Sequence, residues 1–302
     1  MENRAPHFSR AVKRFDIARP CTFNRRDMDP SPIRPRRPDF DFSQSRAHWA
    51  PNPEFAQIYN AISVPVPYLE RFLNKVMARA AALLGSDNDT TRALKTDIRA
   101  FIRQESNHYT LHDRFNEVLR REGYDIASLE TMIEAEYERI WTTKSFAFCL
   151  AYCEGFETLG PPGARTMLDG LEDMFDGADP EIVSLWKWHL MEEFEHRTVC
   201  YDAFKHFHGG YFLRVYALAY QAVHLHGMVS KVLDLLIEQD RSGMSAKDLA
   251  GSDRRIKAAT NALRKNLLAG LLRALLPWYS PRRLVEPRNY RRFMAEIEPR
   301  IT

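Results

Sequence analysis

One stretch in the second half of the chain places ionisable side chains where a helix would bury its core residues. Read as a helix, residues 188–196 continue a stripe in which apolar and ionisable residues recur every three or four positions. The stripe consists of Ile182, Leu185, His189, Glu193, His196, Cys200 and Ala203. Because unpaired carboxylates and imidazoles are costly to bury, we expect a bound metal ion to compensate them.

A second stripe repeats this pattern upstream. It consists of Leu94, Ile98, Phe101, Glu105, His108, His112, Phe115 and Leu119. The pairs Glu105-x-x-His108 and Glu193-x-x-His196 are the ligand pairs of carboxylate-bridged two-metal bundles. Each pair alone arises often by chance, and the alternative is two solvated helix faces with incidental histidines. Solvated faces are not continued by Phe, Leu and Ile on both sides, so we predict two halves of one metal centre.

Two further carboxylates complete the predicted ligand set. Glu70 lies on the apolar side of a helix that ends at a polar turn, and Glu105 lies at a similar distance beyond that turn. In an antiparallel pair of helices, Glu70 therefore faces Glu105 and His108. A later helix offers Glu154 as the fourth carboxylate, with Glu157 one turn on as the alternative.

The predicted order of ligands along the chain is Glu, Glu-x-x-His, Glu, Glu-x-x-His, which a two-metal carboxylate site in a bundle requires. The predicted ligands are Glu70, Glu105, His108, Glu154, Glu193 and His196. The candidates for a further ligand, or for a partner that hydrogen-bonds a ligand, are His112, His189, Glu192 and Glu157. This oxygen-rich set predicts two iron ions, with manganese also suited and zinc less so. A site with three histidines would fit N-oxygenase-like chemistry.

The helical patterns predict an all-α fold, a ferritin-like four-helix bundle with additional C-terminal helices. With 302 residues, 45% of them hydrophobic, the chain is long enough for a single helical metal-binding domain, which we assign to residues 51–302. Residues 1–50 are rich in Arg and Pro and lack periodicity. They predict an extended arm that lies on the body or stays partly mobile. For its arginines, a solvated tail is favoured over contacts with an acidic surface, a partner or phosphate.

Charge and hydropathy exclude several classes of partner. The net charge of +3 is too small to predict nucleic-acid binding. The apolar helix expected at residues 211–236 is too interrupted by polar residues to span a membrane. The chain starts without an apolar segment, and its four cysteines lack zinc-type spacing. We therefore expect a cytoplasmic protein.

Several motifs resemble the bacterial family of predicted metal-dependent hydrolases. They are Arg37-Pro-Asp-Phe-Asp-Phe-Ser43, Trp49, Asn60-Ala-Ile-Ser63, Phe101-Ile-Arg-Gln-Glu-Ser-Asn-His108 with His112 and Asn116, and Trp188-His-Leu-Met-Glu-Glu-Phe-Glu-His196. The resemblance covers residues 35–280 and is most specific in the two helices that carry His and Glu. Where the family has Phe-Pro-x-Gly-Glu and Glu-His-Phe, this chain has Val66-Pro-Tyr-Leu-Glu70 and Glu154-Gly-Phe156. Both glutamates are present, and the histidine after the third is missing.

Two classes of enzyme fit these residues. We favour a di-iron oxidase or oxygenase that acts on a small organic substrate with O2, because of the ligand order. The alternative is a metal-dependent hydrolase with a water activated by two metals, and metal storage or a structural site fits less well. Residues 211–236 and 267–277 predict an apolar pocket beside the metals with arginines at its mouth, suited to an apolar, amphipathic or anionic substrate. The competing interpretation is that this surface only buries helices or forms a homodimer interface.

Overall fold

The computed structural model describes residues 33–85 and 88–301 and confirms the all-α prediction. Within these residues the chain forms α-helices, short 3-10 turns and one isolated antiparallel bridge, between Pro38 and Ile301. The α-helices are α1 Pro53–Ser63, α2 Val66–Leu83, α3 Asp89–Arg121, α4 Ala127–Thr143, α5 Phe146–Glu157, α6 Gly160–Gly170, α7 Pro180–His196, α8 Val199–Phe207, α9 Tyr211–Arg241, α10 Ala246–Ala274 and α11 Tyr290–Ile297.

Several of these helices begin at residues whose side chains cap them. The side chain of Asp179 accepts a hydrogen bond from the backbone N–H of Glu181, and Pro180 occupies the first turn of α7. Asn88 and Ser145 cap α3 and α5 in the same way. These side chains satisfy backbone N–H groups that have no partner within the helix. The helix α7 therefore begins at Pro180 with Asp179 as its cap.

The candidate ligands lie on the inward faces of α2, α3, α5 and α7, between two apolar clusters. The first cluster includes Leu73 of α2, Phe101 of α3 and Leu150 of α5. The second includes Phe115 of α3 and Trp188 of α7. Full burial of a large apolar side chain contributes roughly 1.5–3 kcal/mol. These clusters therefore hold the four helices firmly around their polar middle.

The stripe of residues 182–203 does not form one continuous helix. The helix α7 ends at His196, and α8 begins at Val199. At the break the side chain of Arg197 donates to the backbone oxygen of Phe194, at 2.6 Å, and to that of Pro281, at 3.2 Å. The backbone oxygen of Phe194 lies in the last turn of α7, where carbonyl groups have no partner within the helix. Arg197 thus supplies a partner at the point where α7 ends, immediately after its last candidate ligand.

The N-terminal arm lies against the helices over the part that is described. In residues 33–50, Phe40, Phe42 and Trp49 are buried, and Phe40 packs edge-on against Trp188 of α7. This differs from the solvated tail that the composition favours, because the arm carries aromatic side chains that pack into the core between its arginines. The rest of the expected arm, residues 1–32, lies outside the described residues.

The apolar C-terminal stretches lie partly on the outside of the protein. In α9, Phe212 is 85% exposed, and in α10 Leu268 and Leu272 are about half exposed. These side chains face outward instead of lining a space beside the candidate ligands. Of the helices described, none is long and apolar enough to cross a membrane.

Candidate metal centre

Seven buried histidine and glutamate side chains form two adjacent groups of potential metal ligands. Within each group, one atom from every residue lies within 4.8 Å of the others. The first group is Glu70, His108, His189 and Glu193, and the second is Glu105, Glu157 and His196. The side chains come from α2, α3, α5 and α7.

Glu105 and Glu193 face both groups. The Oε1 atom of Glu193 lies 3.1 Å from Nε2 of His189, and its Oε2 atom lies 3.5 Å from Nε2 of His196. Glu105 places Oε1 at 3.2 Å from Nε2 of His196 and at 3.6 Å from Nδ1 of His108. These two carboxylates are therefore in position to bridge two cations, as in carboxylate-bridged bundles.

The ring of His196 is oriented from outside by Gln104. The side-chain N–H of Gln104 donates to Glu195, at 3.0 Å, so its carbonyl oxygen faces Nδ1 of His196, also at 3.0 Å. The Nδ1–H of His196 therefore donates outward. In the neutral ring, Nε2 then carries a lone pair. That atom lies 3.1 Å from Oε2 of Glu157.

The ring of His108 is oriented from outside by a carboxylate. Its Nε2 atom lies 3.1 Å from Oε2 of Glu192, which can only accept. The remaining nitrogen, Nδ1, faces Glu105 and has no hydrogen-bond partner among the described residues. Carboxylates that hold the outer N–H of a histidine are common around metal ligands, because they fix the tautomer and raise the basicity of the ring.

The ring of His189 is oriented by a chain of three side chains. The hydroxyl of Ser63 donates to Oδ1 of Asn116, at 2.7 Å, and lies 2.8 Å from Nδ1 of His112, which therefore donates to it. The Nε2 atom of His112 is then left to accept from Nδ1–H of His189, at 2.8 Å. The lone pair on Nε2 of His189 faces Glu193 at 3.1 Å and Glu70 at 3.5 Å.

The buried carboxylates of the two groups need added positive charge to balance them. Both carboxylate oxygens of Glu70, Glu105 and Glu157 are buried and make no hydrogen bond to the part of the chain that is described. Burial raises the pKa of Glu105 to about 8 and raises the pKa values of Glu70 and Glu157 well above the ordinary 4.5. Lone pairs and carboxylates that converge in this way fit divalent cations, which would neutralise the carboxylates.

The pKa of His196 reflects the same excess of negative charge. Burial lowers the pKa of His196, but the charges of Glu157, Glu193 and Glu105 outweigh it and raise that pKa well above its ordinary value. Burial also raises the pKa of Glu193, but His196 and His189 outweigh burial and leave that pKa below its ordinary value. The site therefore favours cations, whether protons or metal ions.

Helix α5 contributes Glu157 to the centre and turns Glu154 away from it. Glu154 belongs to neither group of potential ligands among the described residues. It lies 3.6 Å from Nη1 of the buried Arg214 and accepts a hydrogen bond from the hydroxyl of Thr158. Glu157, the alternative in the sequence analysis, therefore lies among the potential ligands, and Glu154, the first choice, does not.

The other predicted side chains fall in or against the centre. Glu70, Glu105, His108, Glu193 and His196 belong to the two groups, and so does His189. His112 and Glu192 lie outside the groups and hydrogen-bond the histidines within them. The sequence pattern did not single out Gln104, which hydrogen-bonds His196, or Arg36, which hydrogen-bonds Glu192 behind His108. No helical period marks Arg36, and Gln104 lies outside the stripe that contains Glu105.

The sequence model of one protein family, described as predicted metal-dependent hydrolase, matches residues 34–284 of the chain. The chain belongs to the predicted metal-dependent hydrolase family. The matched range contains every residue of the two ligand groups, together with the arm from Arg34 onward. Comparisons with curated proteins and with solved structures give no match. Membership of this metal-dependent hydrolase family supports an enzyme with a metal site.

Proposed function

We propose that this protein is a metal-dependent hydrolase that holds two divalent cations between α2, α3, α5 and α7. The observation that carries the proposal is the convergence of three histidine nitrogens and four carboxylates, which no lysine or arginine of the described residues neutralises at their centre. Membership of the predicted metal-dependent hydrolase family supports the reaction class. Family membership thus favours the hydrolase, which the sequence analysis gave as the alternative to a di-iron oxidase or oxygenase.

The donor set supports iron or manganese over zinc. Carboxylate oxygens outnumber imidazole nitrogens, and each group contains at least one of each. Hard oxygen donors with few imidazoles suit iron and manganese, whereas structural zinc sites are richer in sulfur and nitrogen. Cations held here would supply Lewis acidity and a water activated near neutral pH.

The side chains of the protein would hold and orient this pair. Glu105 and Glu193 face both groups, so they would fix the spacing of the cations. The three histidines present one nitrogen inward because their outer nitrogens are bound by Glu192, Gln104 and His112. Burial of the whole set keeps bulk water away, which strengthens each of these electrostatic interactions.

We also propose that the substrate is a small molecule with an anionic group. A cavity of about 270 Å³ lies between the arm and α3, beside the segment that carries His108. Two arginines, Arg37 and Arg114, outnumber the one carboxylate of its lining, Asp39, and Asn107 and Leu111 also line it. Arginine binds carboxylates and phosphates with a planar set of donors. Most of the side chains that line this cavity are polar, whereas residues 211–236 and 267–277 predicted an apolar pocket.

A second candidate function is the oxidation or oxygenation of a small organic substrate by O2, with two iron ions. The ligand order along the chain favours it, because Glu70, Glu105-x-x-His108, Glu157 and Glu193-x-x-His196 follow the order used in di-iron carboxylate bundles. The third histidine, His189, adds a nitrogen donor that this pattern does not require.

One experiment separates the two candidates. The protein is stripped with a chelator, reconstituted with Fe(II) or Mn(II), and assayed on a panel of small esters, amides and phosphate esters under nitrogen. Hydrolysis without O2, lost in Glu193→Ala, is the result we expect. Substrate-dependent consumption of O2 on an oxygen electrode, with no turnover under nitrogen, would overturn the hydrolase proposal in favour of the second candidate.

A further inference from the structure

One arginine of the N-terminal arm contacts both carboxylates that lie behind the histidines of the two Glu-x-x-His pairs. The Nη1 atom of Arg36 donates to Glu192 at 3.1 Å and to Glu195 at 2.9 Å. Its Nη2 atom donates to the other oxygen of Glu195 at 2.7 Å. The side chain of Arg36 is only 12% exposed, so water screens these contacts weakly.

Each carboxylate leads to a different histidine. Glu192 uses its second oxygen to accept from Nε2–H of His108, at 3.1 Å. Glu195 accepts from the side-chain N–H of Gln104, whose carbonyl oxygen accepts from Nδ1–H of His196. The guanidinium group of Arg36 is therefore linked to His108 through one carboxylate, Glu192. It is linked to His196 through the carboxylate of Glu195 and the amide of Gln104.

The arm is held in this place by its backbone as well as by the side chain. The backbone N–H of Arg36 donates to Glu192, at 3.2 Å, and its backbone oxygen accepts from Asn107 of α3, at 2.9 Å. The backbone oxygen of Arg34 accepts from Gln104, at 3.3 Å. The arm thus connects α3 to α7 on the outer side of the centre.

We propose that Arg36 is a positioning residue that orients His108 and His196 for metal binding, and that docking of the arm is coupled to occupancy of both metal positions. This inference rests on the proposed function, because it assumes that the two groups hold cations. Arg36 keeps Glu192 and Glu195 in their accepting orientations. Both histidines then direct their outer N–H groups to fixed partners and their lone pairs inward.

The alternative is that Arg36 only balances the charges of Glu192 and Glu195 and attaches the arm. Under that alternative its removal would lower stability without altering the metal centre. The geometry favours the positioning role, since Glu192 is fully buried and each of its oxygens is engaged, one by Arg36 and one by His108. Partners of this kind affect metal affinity roughly 10–100-fold when they are removed.

The test measures metal binding by the full chain without reference to substrate. Arg36→Gln and Arg36→Lys are compared with wild type and with Arg46→Gln, an arginine of the same arm that pairs with Glu122 and is 78% exposed. Stripped proteins are titrated with Co(II) in competition with a chelator, and the visible absorption spectrum of Co(II) is recorded. Circular dichroism of each stripped protein reports whether the variant is folded.

We expect Arg36→Gln to lower the affinity for Co(II) roughly 10–100-fold at both positions and to change the spectrum. Arg36→Lys, which keeps the positive charge but loses the planar pair of donor nitrogens, is expected to be intermediate, and Arg46→Gln is expected to match wild type. If Arg36→Gln binds Co(II) with the affinity and spectrum of Arg46→Gln, the inference is overturned while the proposed function stands. If wild type binds no metal, both are overturned.

Glu192→Gln provides a second variant in case Arg36→Gln does not fold. It preserves the size of the side chain but weakens the acceptor for His108, so we expect a change in the Co(II) spectrum at one position and not at both. Combining Glu192→Gln with Arg36→Gln is then expected to give less than the sum of the two effects at that position. Full additivity would contradict a role for Arg36 that acts through Glu192.

Discussion

At the scale of single residues, α5 offers a matched pair of glutamates that tests the assignment of ligands. Glu157 lies 3.1 Å from Nε2 of His196, whereas Glu154, also buried, lies beside Arg214. We expect Glu157→Gln to lose metal from the group that contains His196, and Glu154→Gln to retain the full metal content. Elemental analysis of both proteins checks this, and the reverse result would return Glu154 to the ligand set.

The choice between these two glutamates shows where reasoning from sequence stops. Both lie on the buried side of a short helix, so the spacing of the pattern allows either. The rotation of α5 decides between them, and it is set by close contact with α9. A Cβ atom on Gly155 would lie 3.1 Å from the backbone of Leu218. That contact joins segments far apart in the chain, and no local period encodes it.

Other residues were predictable because their signals are local. The stripes that contain Glu105, His108, Glu193 and His196 follow the period of a helix, and the structure buries all four side chains together. Arg36 was not predictable, since its role depends on how the arm crosses α3 and α7. Composition describes an arginine-rich segment as solvated, but here its apolar residues, such as Phe40, are buried and hold the segment against the helices.

At the scale of helices, the start of α6 packs directly against a candidate ligand. A Cβ atom on Gly160 would lie 2.6 Å from Oε2 of Glu193 and 2.9 Å from its Cβ atom. We expect Gly160→Ala to displace Glu193 and to reduce metal content. Gly227→Ala in α9 is the matched control, because a Cβ atom there meets nothing within 4 Å.

The control substitution, Gly227→Ala, is itself expected to change the free energy of unfolding. Replacing a helical glycine by alanine in open space stabilises a protein by roughly 0.5–1 kcal/mol, since the unfolded chain loses freedom. Gly227→Ala should therefore raise the free energy of unfolding and leave metal content unchanged. Equal metal content in Gly160→Ala would show that the packing of α6 on Glu193 is not required by the site.

A hydrogen bond between His48 of the arm and Asp240 of α9 is expected to depend on pH. Nε2 of His48 lies 2.8 Å from Asp240, and this hydrogen bond raises the pKa of His48 above its ordinary 6.5. Burial raises the pKa of Asp240, but hydrogen bonds from His48, Tyr124 and Gln57 outweigh it and lower that pKa. The carboxylate is therefore ionised whenever His48 titrates.

The sign of the pH effect follows from the raised pKa of His48. Its stabilising contribution is fully present below the ordinary pKa of 6.5 and is lost as pH rises through the raised value. Urea unfolding should show wild type more stable than His48→Asn at low pH by at most about 1 kcal/mol, because the pair is partly exposed. The difference should shrink above neutrality, and a difference that is constant with pH would contradict this account.

At the scale of the whole molecule, the helices and the arm surround one buried, negatively charged centre. The all-α class was predictable from helical periods. The break between α7 and α8, which follows His196, was not, since side-chain contacts of Arg197 with Phe194 and Pro281 accompany it. Cations that bind the folded chain and not the unfolded one stabilise it by mass action. Metal binding, folding and arm docking are therefore expected to change together.

Elemental analysis of the purified protein and of the double variant Glu105→Ala, Glu193→Ala tests the central claim most directly. These two glutamates face both ligand groups, so removing them should affect both positions. We predict about two metal ions per chain in wild type, the number found in carboxylate-bridged bundles, and loss of most of them in a variant that remains helical by circular dichroism. Full metal content in the double variant would contradict the account.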